Sequence, residues 1–100
     1  MLYMILGEDV PNSTEKRAAA RPAHLARVQE IGDSGRLVLA GPLPQIDSPD
    51  PGPAGMSGSL IVAEFESLEE ATAWIEADPY VTQGVFARVS VKPFMQTFPT

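Results

Sequence analysis

The chain has no cysteine among its 100 residues. That excludes a disulfide framework, a thiol nucleophile and a thiolate metal site, and it is compatible with a reducing compartment. Basic side chains are also scarce: seven Lys and Arg stand against thirteen Asp and Glu, for a formal charge of −6. Nucleic acids and anionic membranes are bound through basic stripes, so neither is expected as a partner. The basic residues are scattered. Their loosest group, Lys16, Arg17, Arg21 and Arg27, suffices for one small carboxylate or phosphate but not for a polyanion. Long apolar runs are missing too. The opening Leu2 to Leu6 is too short to span a membrane and has no basic leader before it, so it reads as a strand, and the expected location is cytoplasmic. No glycine-rich phosphate loop or dinucleotide fingerprint occurs. A single histidine without cysteines makes a poor metal site. No metal and no cofactor are expected.

What is present describes an ordinary globular chain. An apolar share of 44% with 20% charged residues suits one hydrophobic core, and 100 residues is near the usual size for it, so one domain over 1–100 is expected. Leu2–Leu6 ends at Gly7 as a buried strand. Asn12 to Glu15 matches a capping box, which predicts a first helical stretch over about 13–20. Pro22 should break or kink that stretch and open the main helix, about 22–34, with Gly35 as its C-terminal stop. Arg36 to Ala40 reads as a second strand closed by Gly41-Pro42. The stretch from Pro44 to Gly55 carries four prolines and two glycines, which excludes regular structure and leaves a lid or a mobile loop. Ser59 to Phe65 is a third strand. Ser67 to Glu70 is a second capping box, before a helix with Leu68, Ala71 and Ile75 on its apolar face and an end at Asp78-Pro79. Tyr80 to Gly84 is a short bridge, and Val85 to Phe94 alternates as the last strand.

The order β-α-β-β-α-β is the ferredoxin-like split βαβ motif, an α+β fold with an antiparallel sheet and helices on one face. In that topology the first and third strands are central, and here both are apolar on both sides. Two short helices hide only one face. The other is expected to be covered by a second subunit, most simply in a two-fold homodimer.

The only histidine, His24, would fall in the first turn of the main helix, in line with Val28 and Ile31 at i, i+4, i+7. An imidazole at the end of an apolar stripe is either a filled core position or a catalytic one. Asp78, before a proline at a helix end, is by itself commonly a turn residue. Arg17 and Arg21 suit an anionic substrate through charge-assisted hydrogen bonds, while a solvated face or a salt bridge to Glu15 accounts for them equally well. Ser59 suits a pocket donor or a strand neighbour, Tyr3 and Tyr80 suit pocket walls, and Trp74 suits core or dimer packing.

The segments Arg21-Pro22-Ala23-His24-Leu25, Ala40-Gly41-Pro42, Ala63-Glu64-Phe65-Glu66-Ser67-Leu68, Ala77-Asp78-Pro79-Tyr80 and Val89-Ser90-Val91-Lys92-Pro93-Phe94 closely resemble the YciI-like family of small α+β proteins. With Glu15-Lys16-Arg17, Gly35-Arg36-Leu37 and Gly58-Ser59 they cover nearly the whole chain in the family's order. The resemblance implies a ferredoxin-like subunit that pairs into a dimeric α+β barrel, with an active site built on a histidine and an aspartate. These map to His24 and Asp78. It also implies kinship with muconolactone-isomerase-like enzymes and with a dehydrochlorinase acting on a chlorinated aromatic diol or triol, although fold alone does not fix function.

If His24 and Asp78 meet, the carboxylate fixes the imidazole tautomer and leaves the other ring nitrogen free to move a proton. The expected function is therefore a small cofactor-independent enzyme of lyase, isomerase or hydrolase type. It would use the His24–Asp78 pair for acid–base chemistry on a small anionic or aromatic metabolite, with Arg17, Arg21, Ser59 and Tyr80 as substrate-binding residues. The alternative is a non-catalytic small-molecule-binding or interaction module.

Overall fold

The structure, a computed structural model, describes residues 1–100. Strands β1 (Leu2–Asp9), β2 (Leu37–Pro44), β3 (Met56–Glu64) and β4 (Phe86–Phe94) are interleaved with helices α1 (Thr14–Asp33), α2 (Leu68–Glu76) and the single turn α3 (Pro79–Thr82). The sheet order is β2-β3-β1-β4 with every neighbouring pair antiparallel, so the two doubly apolar strands are the central ones, as the split βαβ reading requires. Strand alternation sorts their side chains. Tyr3 and Ile5 of β1 and Ile61 and Ala63 of β3 join Ala20 and Ile31 of α1 and Ile75 of α2 in the buried core. Burial of a side chain such as Ile5 or Ile31 contributes about 1.5–3 kcal/mol.

Leu2, Met4 and Leu6 point the other way and are half-buried. Across the ladder Met4 meets Val62, Leu6 meets Leu60 and Leu39 meets Val62. This second sheet face is apolar and carries no helix, and Leu39 on it is 47% exposed. No helix is long and apolar enough to cross a membrane.

Two glycines let the central strands close up. A Cβ on Gly7 would overlap the Phe86 ring, and one on Gly58 would overlap the carbonyl of Gly7 across the ladder. Neither position has room for a side chain.

The structure departs from the sequence reading most at α1. Pro22 neither breaks the chain nor opens a helix: one helix runs unbroken from Thr14 to Asp33. A proline inside a helix removes one hydrogen bond, here to the carbonyl four residues back, at about 3 kcal/mol. The flanking turns are nevertheless held by one continuous row of buried residues, Arg17, Ala20, His24, Val28 and Ile31, and tertiary burial outweighs the local cost. His24 therefore lies in the middle of α1, away from its N-terminal dipole.

The Asn12 capping box does not form either. Asn12 takes φ +58°, and Ser13, the residue at the cap, makes no cap bond and instead donates its hydroxyl to Asp9 at 2.6 Å. A charged acceptor at the end of β1 outcompetes a neutral cap. At the other end Gly35, with φ +78°, sends its N–H to Gly32, while Arg36 bonds back to Ile31, the Schellman pattern expected of a glycine stop.

Strand β2 runs through Gly41-Pro42 to Pro44 instead of stopping at Ala40. It is an edge strand, where a missing N–H on the outer side costs no ladder bond. The following loop contains one 3₁₀ turn, Gly52–Ala54, where no regular element was expected, and its ends are tied by Gln45 N–H to the Gly55 carbonyl at 2.9 Å. Ser67 caps α2 by accepting the Glu70 N–H at 3.1 Å, as the second capping box predicts. Ala71 and Ile75 are buried beneath α2, whereas Leu68 stays 43% exposed.

Candidate functional site

Four elements enclose a cleft of about 330 Å³ between α1 and the β2–β3 half of the sheet. Arg17, Arg21 and His24 follow one another at i, i+4 and i+7 along α1 and share its inner side. Pro42 and Ser59, ladder partners on β2 and β3, form the floor, and Tyr80 of α3 closes one end. The sequence-predicted residues Arg17, Arg21, His24, Ser59 and Tyr80 are thus all on one lining, with Asp78 directly behind it.

Asp78 is fully buried at the start of α3. Its extended backbone, which the following proline favours, lets the side chain cap α3 by accepting the Tyr80 N–H at 2.9 Å. The same Oδ2 lies 2.8 Å from His24 Nδ1. Oδ1 accepts from Arg27 Nη1, also at 2.8 Å. Burial alone pushes this carboxyl's pKa up. The hydrogen bond from His24, the Tyr80 N–H, the His24 charge and the Arg27 bond together outweigh it and hold the group below the ordinary carboxylate value.

An ionised carboxylate only accepts hydrogen bonds, so Nδ1 carries a proton, and in the neutral ring Nε2 carries the lone pair. Nε2 has no partner within the chain, and no buried side-chain nitrogen or oxygen is left unpaired, so Nε2 opens onto the cleft. The ring is fixed from the side as well. Tyr80 stacks on it at 3.9 Å between centroids and 11° between planes, and Phe86 braces Tyr80 edge-on at 5.5 Å. Burial raises the Tyr80 hydroxyl pKa, with Arg17 and Arg21 opposing, so the phenol is a neutral donor at ordinary pH.

Arg17 is held more tightly than a solvated helix arginine. Its Nε bonds Asp9 at 2.6 Å, and Nη2 reaches Asp9, the Gly58 carbonyl and Ser59 Oγ at 3.0, 2.7 and 2.9 Å. The partner is Asp9 and not Glu15, because Arg17 faces inward and Asp9 closes the strand beneath it. Tyr3 is a core residue against Phe65 and does not line the cleft. Trp74 is half-buried, against Phe65 on one side and the Arg27 guanidinium, 4.5 Å from its ring, on the other.

Sequence reasoning missed Asp9 and Arg27 as members of this network. Arg27 stands at i+3 from His24, so it shares the histidine's side of a helix, and that spacing was the available signal. No three His, Asp or Glu side chains converge on a common point anywhere in the chain. A second cleft of about 390 Å³ adjoins the first, shares Arg17, Arg21, Pro42 and Tyr80 with it, and is walled by Asp50 to Gly52 of the long loop. The widest groove, about 850 Å³, lies by Asp9 to Glu15 and holds no histidine.

Residues 1–95 match the YCII-related domain. The chain is 59% identical over 98 residues to protein YciI of Escherichia coli O6:H1, covering 98% of this chain and all of that one. It is 48% identical, with the same coverage, to an uncharacterized protein of Haemophilus influenzae. Among solved structures it resembles 5-chloro-2-hydroxyhydroquinone dehydrochlorinase from Burkholderia phenoliruptrix AC1100, in complex with 2,5-dihydroxybenzoquinone. The TM-score is 0.83 at 28% identity, over 95% of this chain and 94% of that one. Whole-length agreement in sequence and in fold makes this chain a member of the YCII-related domain family.

Proposed function

We propose that this chain is a small acid–base enzyme that moves a proton at His24 Nε2 and needs no cofactor to do so. The observation that carries the reading is the 2.8 Å contact between His24 Nδ1 and a fully buried, ionised Asp78, with Nε2 facing an open cleft. Asp78 holds the tautomer and stabilises the imidazolium that forms when Nε2 takes a proton. Tyr80 keeps the ring plane fixed and offers a hydroxyl donor. Ser59 Oγ accepts from Arg17, so its own O–H is free to donate into the cleft.

The dehydrochlorinase neighbour supports a small hydroxylated ring as substrate and elimination as the reaction class. In such a step the proton passes to Nε2, the electrons of the broken bond form the new double bond, and the leaving group departs with its bonding pair. The uncovered apolar sheet face supports a homodimer, with a second copy seated over Met4, Leu6, Leu39 and Leu60.

The test is turnover of hydroxylated and halogenated aromatic rings, beginning with 5-chloro-2-hydroxyhydroquinone and reading halide release. Wild type is expected to turn over at least one of them. His24→Asn is expected to lose about 10²–10⁴-fold in rate while keeping its circular dichroism and thermal transition. Undiminished turnover in a folded His24→Asn, or an inactive wild type across the series, would reject the reading.

A further inference from the structure

The chain carries a net charge of −6, yet no Asp or Glu lines the cleft in front of His24. Its lining contributes two arginines, the histidine and otherwise neutral groups. Of these, Arg17 is already matched by Asp9. Arg21 is not matched by anything. Among the five arginines, Arg17, Arg27 and Arg88 pair with carboxylates and Arg36 bonds Ser34 and the Glu64 carbonyl, while Arg21 alone makes no hydrogen bond or ion pair within the chain. It is one of the residues shared by the inner and outer clefts, one helical turn from His24. Asp50 stands on the outer wall and forms no ion pair with it.

From this juxtaposition we infer that the cleft selects a planar organic anion, with Arg21 as the specificity-determining residue that takes its charged group. The inference rests on the cleft's being the substrate site and adds the substrate's charge. A guanidinium without a carboxylate partner retains its full donor set for a ligand, and its fork matches a carboxylate or an ionised enol in two-point contact. The apolar residues of the same lining, Val28, Leu37 and Ile61, receive the flat body of the ligand. A cleft that gathers positive charge on a negatively charged molecule also discriminates by rejection, since a neutral ring of the same shape leaves Arg21 in water and gains nothing from it.

The experiment compares benzoate, salicylate and 2,5-dihydroxybenzoate with their neutral amides on the full-length protein. Binding is measured by calorimetry and by NMR shifts of the His24 ring and its neighbours. In low salt, at least one carboxylate is expected to bind fivefold or more tightly than its amide, and 0.5 M sodium chloride should shrink that ratio. Arg21→Gln should bring the ratio to within twofold of unity without changing amide affinity, and Arg21→Lys should restore part of it. Arg21 is exposed and makes no bond within the chain, so the thermal transition of these variants should match wild type. Carboxylates that bind no better than amides, an Arg21→Gln protein that keeps the preference, or no binding of any carboxylate overturns the inference. The experiment reads selectivity with His24 intact, so its failure is separable from loss of proton transfer, which the His24→Asn turnover assay reads.

Discussion

Replacing Asp78 by alanine withdraws the acceptor of three hydrogen bonds from a position with no solvent exposure. The Tyr80 N–H and the His24 Nδ1–H lose a buried partner, at about 1–3 kcal/mol each. Arg27 is a quarter exposed at its side chain and turns to water, so its share is small. These losses sum to about 2–6 kcal/mol, and the cost of breaking a buried ion pair by removing one member, about 3–5 kcal/mol, sets the expected value. Against a total stability of about 5–15 kcal/mol for a domain of this size, that is a large fraction. At about 4–8 °C per kcal/mol, the thermal midpoint should fall by more than 12 °C. Asp78→Asn with its carbonyl in the place of Oδ2 keeps the acceptor for the Tyr80 N–H and for His24 but sets its amide N–H₂ against Arg27, so it should lose about half as much.

The loss should depend on pH in one direction. The Asp78 carboxyl is held below its ordinary value of 3.8, so the unfolded chain takes up this proton first as the solution is acidified. The stability it contributes is complete well above 3.8 and disappears as the pH falls through the lower, folded value. Urea unfolding at pH 7, 5, 4 and 3 should therefore show a gap between wild type and Asp78→Ala that is present at pH 7 and 5 and closes below 3.8. A gap under about 1 kcal/mol at pH 7, or one that persists undiminished at pH 3, would refute the reasoning that the network holds an ionised carboxylate.

Three further outcomes follow from other parts of the molecule. Pro22→Ala restores an internal N–H to a helix that is already continuous, so it should raise stability by about 1–3 kcal/mol in urea, and a loss would mean the proline is required. Gly58→Ala drives a Cβ into the Gly7 carbonyl and displaces the carbonyl that Arg17 binds, so it should cost about 1–3 kcal/mol or more; a neutral result would show that the β1–β3 ladder yields there. Leu60→Lys, on the sheet face that bears no helix, should leave the monomer fold intact and shift sedimentation equilibrium toward the single chain, whereas unchanged mass would argue against that face as the subunit contact.

The order of elements was legible because each had its own local signal. Doubly apolar Leu2–Leu6 and Leu60–Ala63 marked the central strands, Ser67 marked the start of α2, and Gly35 marked the end of α1. Legibility failed where a long-range contact outweighed a local preference. Pro22 is tolerated because His24, Val28 and Ile31 on the turns after it are buried together with Arg17 and Ala20 before it. Asn12 loses its cap because Asp9 attracts Ser13. Pro42 and Pro44 stay in a strand because that strand is an edge. The residues of the cleft were readable as residue types, but their meeting was not. His24 and Asp78 are 54 positions apart, and Arg17 and Ser59 are 42 apart. Nothing in the local pattern of one specifies the other.

Trp74 gives this arrangement an optical consequence. It is the only indole in the chain, its carbonyl accepts from Arg27 Nη2 at 2.8 Å, and its ring lies under the same guanidinium. Arg27 in turn holds Asp78, and Asp78 holds His24. The fluorophore is therefore connected to the imidazole through Arg27 and Asp78, and its emission is expected to change when a ligand or a proton binds in the cleft. A stopped-flow record of emission from the unmodified protein would then follow whether that chain of contacts is engaged.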